Sequence, residues 1–142
     1  DQMIKFHIQL VRAFKEAGVP MVAGTDAGLS GVVGGFALHD ELELLVQAGL
    51  TPEEALAAAT RLPSIWLGTY KETGTIEVGK FADLVLLDEN PLDAIKNTKK
   101  ISGVFINGQW LDKTQLEKML ADLSKRNTAS KDKFDWKKTI GQ

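Results

Sequence analysis

One short apolar segment, Pro20-Met21-Val22-Ala23, most tightly limits how the first half of this chain can fold. Gly18 and Gly24 bound it, and Gly24-Thr25-Asp26-Ala27-Gly28 follows at its C-terminal end. Such a run predicts a short buried strand. A buried strand needs neighbours, because each buried backbone group left unpaired costs about 1–3 kcal/mol. The sequence on both sides, however, reads as helix. Within residues 1–17, Met3, Ile4, Ile8, Val11 and Phe14 recur at helical spacing, and Gly18 stops the run. Over residues 36–48, Leu38, Leu42, Leu45 and Val46 share a face that ends at Gly49. Thr51-Pro52-Glu53-Glu54 opens a third helix, with a capping hydroxyl, Pro at the first helical position and Glu at the reciprocal capping position. A helical turn near Pro63–Leu67, stopped at Gly68, is expected next. Residues 1–67 are thus helix, strand, helix, helix, with a single strand among them.

The pattern then changes. Thr75-Ile76-Glu77-Val78 predicts a strand, and Ala82 to Leu87 another. Asn90-Pro91 marks a turn. Ile101 to Ile106 and Gln109 to Leu111 flank Asn107-Gly108, a strong hairpin signal. A last helix over about 114–125 is predicted from a capping box, Thr114 to Glu117, and a stripe of Leu116, Met119, Leu120 and Leu123. Residues 126–142 are polar and lysine-rich, a loose tail that Phe134 and Trp136 can pin to a surface. There is no internal repeat and no low-complexity segment.

A chain of 142 residues suits one domain. If it closes on itself it buries roughly two thirds of its unfolded surface. Hydrophobic and charged fractions of 44% and 25% are those of a globular protein. A net charge of −2 gives no electrostatic case for nucleic acid or anionic membrane as the main partner. The absence of cysteine excludes disulfides and thiolate metal sites but leaves the compartment open. No apolar run approaches the roughly 20 residues that span a bilayer. The first residue is Asp1 rather than Met, as in a mature N-terminus after cleavage or an internal piece of a longer chain, and the later segments of the sequence favour the second expectation.

Asp26 is the most informative residue. It lies just past the predicted strand, where a parallel α/β barrel places its active-site groups. A carboxylate there can bind a metal ion and exchange a proton with water. It can equally cap the next segment, and the isolated pattern favours that reading. The order Thr25-Asp26-Ala27-Gly28 is not the Asp-Thr-Gly of aspartic proteases. The glycine-rich stretch 28–35 has neither the dinucleotide register nor a phosphate-loop lysine, and reads as a surface loop or a loop over a pocket mouth. His39, followed by Asp40 and Glu41, suggests a metal or proton-transfer site, but the spacing is not His-Glu-x-x-His and no second His is near, so it reads rather as a helix-start histidine making local hydrogen bonds. His7, on the apolar stripe of the first helix, reads as a core histidine. With two His and no Cys, this chain alone cannot assemble a typical zinc site. Lys99-Lys100 and the lysines from 131 to 138 read as solvated surface.

Several segments, in order, resemble the C-terminal part of the amidohydrolase superfamily. Ala17-Gly18-Val19-Pro20 through Gly24-Thr25-Asp26-Ala27-Gly28 is similar to its eighth barrel strand. Leu38-His39-Asp40-Glu41-Leu42-Glu43-Leu44-Leu45 and Ala48-Gly49-Leu50-Thr51-Pro52-Glu53-Glu54-Ala55-Leu56 continue the likeness, as does Ala59-Thr60. So do Gly74-Thr75-Ile76-Glu77-Val78-Gly79-Lys80-Phe81-Ala82-Asp83-Leu84-Val85-Leu86-Leu87-Asp88 and Val104-Phe105-Ile106-Asn107-Gly108. The flavour is that of imidazolonepropionase-related and Xaa-Pro or Xaa-Arg dipeptidase-like members.

The resemblance implies an α/β fold. Residues 1–67 would be the last strand and helices of a TIM (β/α)8 barrel, 68–111 part of a small β-sandwich, and 112–142 a C-terminal helix and polar tail. It implies hydrolysis of a carbon–nitrogen bond in an amide, cyclic amide or dipeptide, with one or two divalent ions, Zn²⁺ first among them. Asp26 would be both metal ligand and catalytic residue, taking a proton from the hydrolytic water and returning it to the leaving nitrogen. Lys80 and Asp83 fall in the sandwich and are expected to be structural. The other metal ligands belong to strands this chain does not contain. The chain alone is therefore expected to be inactive, and its expected partner is the missing N-terminal part of the barrel, on the same or another polypeptide; association into a homo-oligomer stays open. A deaminase, or a non-catalytic module derived from the same superfamily, remains the alternative.

Overall fold

A computed structural model describes residues 2–28 and 32–131. Helix α1 (Gln2–Glu16) is followed in the chain by α2 (Ala37–Gln47), α3 (Pro52–Ala59) and α4 (Arg61–Trp66). Strand β1 (Leu84–Leu87), a 3₁₀ turn (Ile95–Lys99), β2 (Ile101–Ile106), β3 (Gln109–Asp112) and helix α5 (Lys113–Lys131) follow. The sheet is antiparallel in the order β1-β2-β3.

Local signals account for much of this. Gly18, at φ 71, ends the helical run where expected. The capping box of α3 forms in full: the Glu54 N–H donates to Thr51 Oγ1 at 3.1 Å and the Thr51 N–H to Glu54 Oε2 at 2.7 Å. Asn107 and Gly108, at φ 50 and 73, take the left-handed pair that a tight two-residue hairpin requires. That turn sets the register Ile106↔Gln109, Phe105↔Trp110, Val104↔Leu111. Phe105 and Trp110 thereby pack across the strands in a tilted arrangement with ring centroids 4.8 Å apart. The Asn107 N–H also donates to Asp83 Oδ1 at 3.0 Å, which gives Asp83 a structural role.

Four expectations need correction. Pro20–Ala23 has no regular secondary structure and pairs with no strand among the described residues, and Val22 is exposed. Thr75–Val78 is not a strand either. Gly74 and Gly79, at φ 91 and 94, bracket it, and a local polar network closes it into a turn. Thr75 Oγ1 donates to Glu77 Oε1 at 2.6 Å, and Lys80 Nζ donates to Thr75 Oγ1 at 2.5 Å. Helix α5 starts one residue earlier than predicted, and its cap is Asp112 with Gln115 rather than Thr114 with Glu117. The Gln115 N–H donates to Asp112 Oδ1 at 2.8 Å and the Asp112 N–H to Gln115 Oε1 at 2.9 Å. The helix also runs on to Lys131, so the first part of the predicted tail is helical; Phe134 and Trp136 lie outside the described residues.

The core is small. Leu42, Ala55 and Ile95 form its centre, with Leu45, Val46, Leu56 and Ala59 packed around them. Helix α1 contributes no buried residue, and Met3, Ile4, Phe6 and Phe14 along it are exposed. The accessible surface is 11000 Å², whereas a compact monomer of 15.5 kDa exposes about 7200 Å². About half of the unfolded chain's surface is buried on the same scaling, rather than two thirds.

Candidate functional site

The segment after α1 is held at two successive backbone groups. The Ala23 N–H donates to the Ala58 carbonyl of α3 at 2.8 Å, and the Gly24 N–H donates to Glu41 Oε1 of α2 at 2.8 Å. Asp26 follows two residues later with φ 48, a left-handed conformation that Asp tolerates better than most residues. It is exposed, and its carboxylate accepts no hydrogen bond from any described residue. Residues 29–31 of the glycine-rich loop lie outside the described residues.

An open carboxylate at a chain turn is a competent ligand for a divalent ion, but one carboxylate is not a site. Among the described residues no three His, Asp or Glu side chains come together to hold a metal ion.

His39 serves another purpose. Its Nδ1 lies 3.1 Å from Oγ1 of Thr98, 59 positions away, so its hydrogen bond is not local. The Thr98 hydroxyl proton is already donated to the Ile95 carbonyl at 2.9 Å, so the oxygen accepts from an Nδ1–H. Burial, and then the nearby Lys99 ammonium, lower the His39 pKa; Asp40 and Glu43 oppose the shift. Lys99 itself bridges Asp40 and Glu43, each at 2.7 Å, so this group clips α2 to the 3₁₀ turn. His7 is exposed rather than in the core. It borders a cavity of about 240 Å³ between α1 and α2, along with Ile8, Val11, Glu41, Leu44 and Leu45. The Lys80 ammonium lies 3.8 Å from the centre of the Tyr70 ring, a cation–π contact.

Glu41 was not singled out by sequence reasoning. Its partner is the Gly24 N–H, 17 positions away, and no local pattern marks such a bond.

The profile of the amidohydrolase family matches residues 3–111 of the chain. Imidazolonepropionase of Maricaulis maris (strain MCS10) is 38% identical over 105 residues, 70% of this chain and 26% of that protein. 5'-Deoxyadenosine deaminase of Methanobrevibacter smithii is 39% identical over 80 residues, 54% of this chain and 18% of that protein. The crystal structure of a Xaa-Pro dipeptidase with methionine bound in its active site superimposes with a TM-score of 0.67 at 28% identity, covering 74% of this chain and 25% of that one. The chain spans about a quarter of the length of the imidazolonepropionase and the dipeptidase. On the extent of the profile match, the chain belongs to the amidohydrolase family.

Proposed function

We propose that this chain is the C-terminal portion of a metal-dependent hydrolase of carbon–nitrogen bonds, and that Asp26 is its catalytic carboxylate and one of its metal ligands. The observation that carries the reading is the family match from residue 3 to residue 111, which includes Asp26. The open carboxylate of Asp26 agrees with it. Residues 1–67 supply the last strand and helices of the barrel, 68–111 part of a small β-sandwich, and 112–142 a C-terminal helix and tail. The partner is the rest of the barrel, on the same or another polypeptide. The excess exposed surface supports this, as do the apolar residues of α1 and the exposed Val22, Ile76 and Val78.

The substrate class is an amide, a cyclic amide or a dipeptide. Asp26, with ligands from the rest of the barrel, would hold one or two divalent ions such as Zn²⁺, which would supply Lewis acidity and bring the pKa of bound water toward ~7. Asp26 takes a proton from the hydrolytic water as the carbonyl is attacked and returns it to the leaving nitrogen as the bond breaks.

In the complete enzyme, Asp26→Asn removes that proton acceptor while keeping the shape. Its kcat is expected to fall by about 10²–10⁴-fold, the usual contribution of a positioned general acid–base. Turnover near wild type rejects the assignment. Elemental analysis is the second test: stoichiometric metal is expected, and a metal-free, autonomously folded chain indicates a non-catalytic module instead. The likeness to a deaminase favours one other reading, deamination on the same scaffold. Product analysis separates the two, because a deaminase releases ammonia without splitting an amide chain.

A further inference from the structure

We propose that Glu41 is the positioning residue of the site, fixing the backbone that carries Asp26 through its bond to Gly24; this rests on the role proposed for Asp26. Residues 20–26 donate two backbone hydrogen bonds to other elements among the described residues, from Ala23 to Ala58 O and from Gly24 to Glu41 Oε1. The first is backbone to backbone and survives most substitutions. The second depends on one side chain. It grips the chain two residues before Asp26, where the backbone turns into a left-handed conformation.

The setting of Glu41 argues against simple packing. It shares a cavity wall with His7 and with the apolar Ile8, Val11, Leu44 and Leu45, mostly apolar neighbours among which a carboxylate is costly to place. Its second oxygen, Oε2, is buried and accepts no hydrogen bond from any described residue. A carboxylate half satisfied in such a place is costly. What it gains is a charge-assisted grip on one amide, from a helix whose own position is fixed by the core residue Leu42 beside it. A reactive carboxylate needs its supporting atoms on a rigid element, and α2 provides one.

The test uses the complete enzyme with three variants: Glu41→Gln, Glu41→Met and Asp26→Asn. Gln keeps an oxygen that can accept from Gly24; Met keeps the length without an acceptor. Hydrogen exchange at the Gly24 amide is read at residue resolution, with kcat and KM measured separately. In the wild type the Gly24 amide is expected to exchange slowly although the residue is exposed. Gln should keep that protection and hold kcat within about 3-fold. Met should lose protection and lower kcat by about 10–100-fold, the range for residues that orient a ligand, with KM little changed.

The proposal is overturned if the wild-type Gly24 amide exchanges at an unprotected rate. It is equally overturned if folded Met variant matches wild type in kcat, or if Gln and Met lose kcat alike. Should the Met variant not fold, slow wild-type exchange with near-normal kcat and protection in Gln sustains it, and failure of either rejects it. Asp26→Asn separates the two levels. Full activity in that variant removes the Asp26 role itself, whereas an inactive Asp26→Asn beside an unaffected Glu41→Met removes only the inference about Glu41.

Discussion

Gly74→Ala should destabilise the protein more than any change of similar size in the loops around the sheet. Gly74 has φ 91, and a Cβ placed on it would lie 2.1 Å from Ser64 Oγ, 2.8 Å from Ser64 Cβ and 3.2 Å from the Thr60 carbonyl oxygen. Ser64 is poorly placed to yield. It is buried on α4, and its hydroxyl donates to the Arg61 carbonyl at 2.7 Å, so rotating it away forfeits that bond. The left-handed backbone costs a residue with a Cβ about 1–2 kcal/mol. Forcing a methyl into packed surroundings adds about 1–3 kcal/mol. Gly79 separates the two contributions. It has nearly the same backbone, φ 94, with no atom within 4 Å of an added Cβ. Gly79→Ala should therefore cost about 1–2 kcal/mol and Gly74→Ala about 2–5 kcal/mol. Urea unfolding of both variants, compared at equal m-value, gives the difference directly. If Gly74→Ala costs no more than Gly79→Ala, the close approach of this loop to α4 is wrong.

Thr51→Ala removes the oxygen that accepts the Glu54 N–H and should cost about 1 kcal/mol, seen as a drop in the thermal midpoint. An unchanged midpoint would mean the box contributes nothing to α3. His39 gives stability a pH dependence. Its folded pKa lies below the ordinary 6.5, so the unfolded chain binds the proton more readily. Its contribution is fully present above pH 6.5 and is lost as the pH falls from there toward the lowered folded value. Unfolding free energies from pH 7.5 down to about 5.5 should fall less steeply for His39→Gln than for wild type. Parallel curves would show that His39 carries no such linkage.

Features that depend on a few consecutive residues were legible from the residues alone. The Thr51–Glu54 box, the Asn107-Gly108 hairpin and the stop at Gly18 each follow from short-range sterics and local hydrogen bonds. The family likeness was legible for a similar reason, since ordered local segments carry it, and the match over residues 3–111 agrees. Tertiary structure decided where local alternatives were close in energy. Thr75–Val78 alternates like a strand, yet nothing described covers Ile76 or Val78, so the local network through Thr75, Glu77 and Lys80 prevails. Two capping boxes compete at the start of α5, and the hairpin fixes Asp112 at the end of β3, which selects Asp112 with Gln115. The surroundings of Asp26 were illegible for the same reason. Its segment is placed by Ala58 and Glu41, side-chain and backbone groups that meet it only once α2 and α3 have folded back against it.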